Sequence, residues 1–268
     1  MQANTSKRKP RISIRVGSNS LCFATPDGTL DQLVAFEPYI IKSGVSMAAN
    51  LRQAFKTSDI LQRDNDRALV IADAMVLTVP AEEYDEKNAD ILYRHCFCDT
   101  NGETVMACAL PSLNAMALYG INSDLKMVVE DHYRDVRFMP LVVPVCNYLH
   151  RRSLTGSRRK LYGYFHDGKL ETACFDKTRL KFYNQFEAQY SRDAAYYLLY
   201  AWKQLALDST EDEMFLCGEI PDRQWVITAM RNYLHKVYAI NPAADFNRAP
   251  VTKIAGMPMD TMLTYLDI

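Results

Sequence analysis

Nowhere does the chain carry about 20 consecutive apolar residues, the length a membrane-spanning helix requires. Its opening residues, MQANTSKRKP, are polar and basic and lack the apolar segment of a secretion signal, so the cytoplasm is the expected compartment. There is no surplus of charge either. With 31 basic against 32 acidic residues the net charge is −1, and no overall field favours nucleic acid or a membrane surface. No Cys-x-x-Cys and no His-x-x-x-His pair occurs. The cysteines number seven, which is odd: Cys22, Cys96, Cys98, Cys108, Cys146, Cys174 and Cys217. Five of these lie in apolar strand or helix patterns, so reduced, buried thiols are expected in place of a disulfide framework. His132 and His166 have no Ser or Cys nucleophile at a recognisable spacing, which leaves hydrolase chemistry without support. No catalytic residue, metal ligand or cofactor is assigned on these grounds.

What is present is an ordinary globular composition. The 268 residues are 49% hydrophobic and 24% charged, enough for one large or two medium domains. The stretch from Arg11 to Ile41 reads as a three-strand meander. Ile12, Ile14 and Val16 alternate with Ser13, Arg15 and Gly17, the period of a half-buried strand. Gly17-Ser18-Asn19 and Pro26-Asp27-Gly28 are turn sequences between Leu21–Thr25 and Leu30–Tyr39. A second meander runs from Leu161 to Ala188, with strands Leu161–Phe165, Leu170–Phe175 and Leu180–Phe186, and Asp167-Gly168 as its first turn. Each meander is followed by a helix opened by a serine, Ser46 or Ser191, and then by an apolar strand, Ala68–Ile71 or Met214–Cys217. The offset is 161 − 12 = 149 at the first strand and 191 − 46 = 145 at the helix. A nearly constant offset over several elements argues for an internal duplication. It divides the chain into residues 1–150 and 151–268, joined through the polar stretch Arg151–Lys160.

The remaining elements follow from local pattern. Residues Met1–Pro10 read as a flexible tail. Met47, Leu51, Ala54 and Phe55 form the stripe of a first helix. Ala68–Val79 reads as two short buried strands or one bent one. Glu82–Tyr93 is expected to be a short polar helix whose Glu82, Glu83, Asp85 and Glu86 form a solvated face instead of an acid-base pair. His95–Ala109 is read as a hairpin around Asn101-Gly102. That would put Cys96 and Cys98 on one strand face, yet without the second ligand pair a structural zinc needs. Ser112 is expected to cap a helix through Leu113, Met116 and Ala117, stopped by Gly120. Lys126–Val129 is expected as a strand, and Val142–Leu149 as a helix with Pro144 in its first turn. In the second half, Ala195, Leu198, Leu199, Trp202, Leu205 and Ala206 line the buried face of the Ser191–Leu207 helix. Asp222 caps another helix with Val226, Met230, Tyr233, Leu234 and Val237 on one face, and Pro258–Leu266 is a short last helix.

Two copies of strand-strand-strand-helix-strand-helix resemble the layout of the actin-like ATPase superfamily, an α/β fold of duplicated ribonuclease H-like lobes with mixed sheets. Within it, ALVIADAMVLTVPAEEYDEKNADIL is similar to the bacterial pilus-assembly ATPase-like proteins. RISIRVGSNSLCFATPDG with a later LTVPAEEY resembles an uncharacterised bacterial family known as a domain of unknown function. The superfamily resemblance implies ATP in the cleft between lobes. It also implies an Asp-x-Gly at each first hairpin, the carboxylate holding Mg²⁺ through water and the turn amides cradling phosphates. Here those positions are Arg15-Val16-Gly17, and an Arg cannot ligate Mg²⁺. In the second copy Asp167 lies directly beside Gly168, one step late. The adenosine-binding Gly-Gly is reduced to Cys217-Gly218-Glu219. A ribonuclease H-type nuclease fails as well, because Ser13 and Arg15 stand where a metal-binding Asp is required.

The expected function is therefore a non-enzymatic interaction or scaffold protein with degenerate nucleotide motifs. Gly17, Ser18, Asn19, Gly168 and Gly218 mark a vestigial cleft. The alternative is a nucleotide-binding protein that still takes ATP between its lobes. A second alternative is a nucleic-acid accessory protein. It would use Lys7, Arg8, Lys9 and Arg11 before the first strand, and Arg151, Arg152, Arg158, Arg159 and Lys160 before its counterpart. No aromatic residue is interleaved there for base stacking. A protein partner is expected on Tyr196 and Tyr200, which share a face one turn apart beside Lys203 and off the buried stripe.

Overall fold

A computed structural model describes residues 10–266, so the expected tail at Met1–Pro10 lies almost entirely outside the described residues. The first half begins with β1 (Ile12–Val16), β2 (Leu21–Pro26) and β3 (Val34–Tyr39), then α1 (Met47–Thr57) and β4 (Arg67–Ala72). β5 (Val76–Pro80), α2 (Ala89–Cys96), β6 (Glu103–Leu110) and β7 (Ala115–Asn122) follow as an insertion, before α3 (Ser123–His132), β8 (Asp135–Pro140) and α4 (Val142–Ser153). The second half has β9 (Lys160–His166), β10 (Lys169–Asp176), β11 (Arg179–Glu187), α5 (Ser191–Gln204), β12 (Glu213–Gly218), α6 (Arg223–Arg231), β13 (Val237–Ala239), α7 (Pro242–Asp245) and α8 (Met259–Leu263).

Two separate five-stranded sheets result, ordered β3-β2-β1-β4-β8 and β11-β10-β9-β12-β13. The orders are the same element for element. In each, an antiparallel meander pairs its first strand in parallel with a strand that returns after a helix. The meanders, the helices after them and the returning strands of the sequence reading are therefore present. The insertion adds a three-stranded antiparallel sheet, β5-β7-β6.

Alternation along β9 explains the layering. Leu161 and Phe165 pack with α5 and α6, whereas Tyr162 and Tyr164 face a central core shared with α4 and α8. In β1, Ile12, Ile14 and Val16 join the core of the first lobe with Leu51 of α1 and Val128 of α3. Its polar face, read from sequence as the solvated side of a half-buried strand, is buried too: Ser13 is 3% exposed and Arg15 2%. The chain's C-terminal segment covers that face, and the Tyr265 hydroxyl donates to Ser13 Oγ at 2.7 Å.

Several local expectations are corrected. The third strand starts at Val34, not Leu30. Ser46 caps α1 as expected, its Oγ accepting from Ala49 N–H. Ser191, by contrast, is the first helical residue, and the cap position falls on Tyr190 without a side-chain bond. Glu82–Tyr93 resolves into two short 3₁₀ turns followed by α2. Asn101-Gly102 is a turn but joins no hairpin: His95 and Cys96 end α2, and β6 pairs with β7 instead. Cys96 and Cys98 thus share no strand face. Residues 115–122 are strand, because pairing with both β5 and β6 overrides the helical spacing of Leu113, Met116 and Ala117. Gly120 is no helix stop. It lies mid-strand, where a Cβ would meet Glu103 Oε2 at 2.0 Å. Lys126–Val129 is helical, inside α3, which the Asn122 side chain caps. α6 ends at Arg231, leaving Tyr233 64% exposed and Val237 in β13. α4 runs on to Ser153 and β9 starts at Lys160, so the boundary stretch is shorter than Arg151–Lys160.

Candidate functional site

The site grows from the first turn of each meander. In the first lobe Gly17 N–H closes a turn on Ser20 O at 2.8 Å. In the second, Asp167 (φ 47°) and Gly168 (φ 77°) are both left-handed, as a two-residue hairpin with the strands' own twist demands. That turn drives the Asp167 carboxylate into the cleft against the first lobe. A Cβ on Gly17 would lie 2.6 Å from Asp167 Oδ1 and 2.3 Å from Ser20 Oγ, so a side chain there would have to displace these polar ends from their bonds.

Arg15 fills the middle. Its Nη2 donates to Asp167 Oδ2 at 2.7 Å and its Nη1 to Ser20 Oγ at 2.6 Å. Nε and Nη2 reach Asp260 of α8 at 2.8 and 2.9 Å. Asp260, 0% exposed, also accepts from the Tyr164 hydroxyl at 2.7 Å and from Thr261 Oγ1 at 2.9 Å. Arg15 and Tyr164 are 149 residues apart, the offset between the two first strands. They pair across parallel ladders with Ile71 and Cys217, which both sit in the central core. One carboxylate thus holds corresponding points of the two lobes. Burial works against the charge on Arg15, yet Asp260 and Asp167 keep its pKa well above the ordinary value. Burial likewise opposes ionisation of Asp167, but bonds from His166, Arg15 and Ser20 hold it well below the usual carboxylate range.

A second cluster adjoins the first. Asp73, which follows β4, accepts from Lys169 Nζ at 2.8 Å and Gln185 Nε2 at 3.3 Å, across the lobes. Gln185 also donates to Glu171 Oε1 at 2.7 Å, and the Tyr183 hydroxyl to Glu171 Oε2 at 2.6 Å. His166 lies between two carboxylates, 3.1 Å from Glu171 Oε1 and 3.3 Å from Asp167 Oδ2. Burial pulls its pKa down, but those two partners outweigh it and raise the value to about 9. His166 is therefore an imidazolium donating from both nitrogens. Asp73, His166 and Glu171 could offer ligand atoms to one ion, but the Lys169 ammonium, the Gln185 amide and the imidazolium proton already occupy them.

Mg²⁺ and phosphates do not fit this arrangement. A guanidinium paired to Asp167 stands where the superfamily resemblance puts a metal-holding carboxylate, and the Gly17 N–H is taken by Ser20 O. The other residues marked from sequence are placed as follows. Ser18 Oγ lies 3.5 Å from Asp167 O, and Asn19 is exposed at the rim. Gly168 ends the second turn. Gly218 (φ +83°) ends β12, and a Cβ there would fall 2.1 Å from Phe165 O. Beside it lies a cavity of about 460 Å³, lined by Tyr164, Gly218, Glu219, Arg223, Asn241 and Met257 among others. Tyr196 and Tyr200 are far more open, 63% and 45% exposed, with ring centroids 6.2 Å apart beside exposed Lys203.

The basic run before β9 is largely spent internally. Arg152 pairs with Asp245, Arg158 with Glu211, and Arg159 with Asp212, while Lys160 donates to the carbonyls of Arg152 and Thr155. Arg151 is exposed. Arg11 pairs with Asp135, and Lys7, Arg8 and Lys9 lie outside the described residues. Asp260, Tyr164, Ser20, Asp73, Lys169, Glu171 and Gln185 were not singled out from sequence.

Among the described residues no helix is long and apolar enough to cross a membrane. No curated protein matches the chain in sequence. Among solved structures, a protein of unknown function with an actin-like ATPase fold from Bacteroides thetaiotaomicron VPI-5482 superposes with a TM-score of 0.81 at 24% identity, covering 95% of this chain and 99% of that one. A type IV pilus biogenesis complex of PilM with PilN gives 0.56 at 10% identity, covering 88% and 90%. The fold is that of the actin-like ATPases, and the match of residues 2–237 places the chain in the DUF3822 family of proteins of unknown function.

Proposed function

We propose that the protein is a non-enzymatic interaction or scaffold protein of the cytoplasm. Its two lobes, residues 1–150 and 151–268, are held shut across the cleft where the superfamily binds nucleotide. The observation that carries this reading is the Arg15–Asp167–Asp260 cluster: the charges at the phosphate end of the cleft are paired with one another within the chain. Both surviving glycines have packing reasons, Gly17 against Asp167 and Gly218 against Phe165 O, that call for no ligand. The partner surface proposed is the open tyrosine pair of α5, Tyr196 and Tyr200, beside Lys203. PilM, a structural neighbour, is itself found in complex with a second protein.

The second reading, a nucleotide binder without turnover, draws on the cavity beside Gly218. A thermal-shift titration with ATP, with and without Mg²⁺, separates the two. Saturation to 100 times Kd would add about 2.7 kcal/mol of stability. The scaffold reading expects no shift and no ATP turnover above background. A shift without Mg²⁺ favours the second reading, and turnover that disappears in Arg15→Ala would overturn the first. The nucleic-acid reading is weakened by the internal pairing of Arg152, Arg158 and Arg159.

A further inference from the structure

After β13 the chain leaves the second sheet and crosses back over the cleft. Asp245 of α7 ties the crossing to Arg152 and Tyr148 of α4. Val251, Met257 and Met262 then pack on Ala24 and Val34 of the first lobe, and α8 enters the central core through Met259 and Leu263. The crossing splits the cleft into two cavities. One, of about 460 Å³, is bounded by Tyr164, Gly218 and Asn241. The other, of about 360 Å³, is bounded by Arg15, Ser20, Tyr39 and Asp167. Glu219, Gly256 and Pro258 line both, so this segment, together with Glu219 just after β12, forms the wall between them.

α8 has only five residues, too few to be stable alone, so tertiary contacts hold it in place. Its single charge, Asp260, supplies the polar part of that hold. It bonds Arg15 at the end of β1 and Tyr164 at the corresponding point of β9. Removing it would leave the buried guanidinium with Asp167 as its remaining anionic partner and take away the polar hold on α8.

We propose that residues 242–266 are a clasp with Asp260 as its latch, and that the inter-lobe cleft opens by withdrawal of this segment. The inference goes beyond the scaffold reading and holds whether or not a nucleotide binds. Two buried cysteines lie beneath the clasp. Cys22, on β2, pairs across from Arg15, and Cys217 shares the central core with Met259 and Leu263. Cys174 is equally buried but faces the core of the second lobe under α5. Cys96 and Cys98 are exposed.

The test is alkylation of the full-length native protein, followed by peptide mass spectrometry, with Cys96 and Cys98 as the fast internal reference. Asp260→Asn keeps the side chain's size and removes its charge. Labelling of Cys22 and Cys217 should then accelerate together by about tenfold, with Cys174 unchanged. Unchanged rates at Cys22 and Cys217, or an equal rise at Cys22, Cys174 and Cys217, would overturn the clasp. Should Asp260→Asn fail to fold, Tyr164→Phe carries the test, because it removes only the second-lobe bond to the latch. Faster labelling of Cys22, in the lobe that Tyr164 does not belong to, is expected. A rise confined to Cys217 rules the clasp out.

Discussion

Replacing Arg15 by methionine keeps an unbranched stem and deletes the charge. Asp260, fully buried, then retains only the Tyr164 and Thr261 hydroxyls as donors, and Asp167 retains Ser20 and His166. Breaking a buried ion pair from one side costs about 3–5 kcal/mol, because the surviving charge is left without its partner. In a chain of this length each kcal/mol moves Tm by about 2–4 °C, so Arg15→Met should lower it by about 10 °C. Replacing Arg15 and Asp260 together with apolar groups should cost much less, Asp167 keeping its bonds to Ser20 and His166. Arg15→Met with Asp260→Leu removes both charges but orphans the Tyr164 hydroxyl, a penalty of about 1–3 kcal/mol. Adding Tyr164→Phe removes that as well, and the triple variant should return to within about 2 kcal/mol of wild type. Urea unfolding followed by fluorescence and circular dichroism measures all three. Arg15→Met within 1 kcal/mol of wild type, or a triple variant no better than the single, would show that this cluster does not hold the lobes as argued.

Two further outcomes are expected. Because the pKa of His166 is raised from 6.5 to about 9, its contribution is fully present below pH 6.5 and is lost as pH climbs through 9, an effect of order 3 kcal/mol. Asp167 has the opposite sign: held below its usual 3.8, it stabilises above that pH, and this is lost on acidification. Unfolding free energies from pH 4 to 10 should therefore fall on the alkaline side, and His166→Asn should flatten that limb; an unchanged limb refutes the imidazolium. At the tyrosine surface, Tyr196→Ser with Tyr200→Ser should change stability by less than about 1 kcal/mol and abolish co-purification of the partner, and retention of the partner would remove that surface from consideration.

Much of the architecture was legible because it is local and repeated. The meanders announce themselves through alternation and through turn residues such as Pro26-Asp27-Gly28 and Asp167-Gly168, and the 149-residue offset then links them. The insertion was misread where local and tertiary preferences disagree. Met116 and Ala117 favour helix, yet β5 and β6 on either side make residues 115–122 a central strand. The run Lys126–Val129 was too short for its period to tell strand from helix, and the capping side chain of Asn122 decides it.

The site was legible only in part, for a different reason. Arg15 could be seen in the place of a metal-binding carboxylate, but not what neutralises it. The pattern of β1 reads Ser13 and Arg15 as a solvated face, since polar residues at every second position usually mean water. Their covering comes from residues about 250 positions later: Tyr265 lies 252 from Ser13, and Asp260 lies 245 from Arg15. No periodicity carries information over that distance. The same contact changes the meaning of the turn at Gly17. Gly17 was read as the remnant of a phosphate cradle, yet the atoms that exclude a side chain there belong to Ser20 and Asp167, and Asp167 is in turn paired to Arg15. The Arg15 guanidinium and the Asp167 carboxylate of the second lobe's first turn thus form one buried pair, with Asp260 on the other side of the guanidinium, and together they make a contact between the lobes.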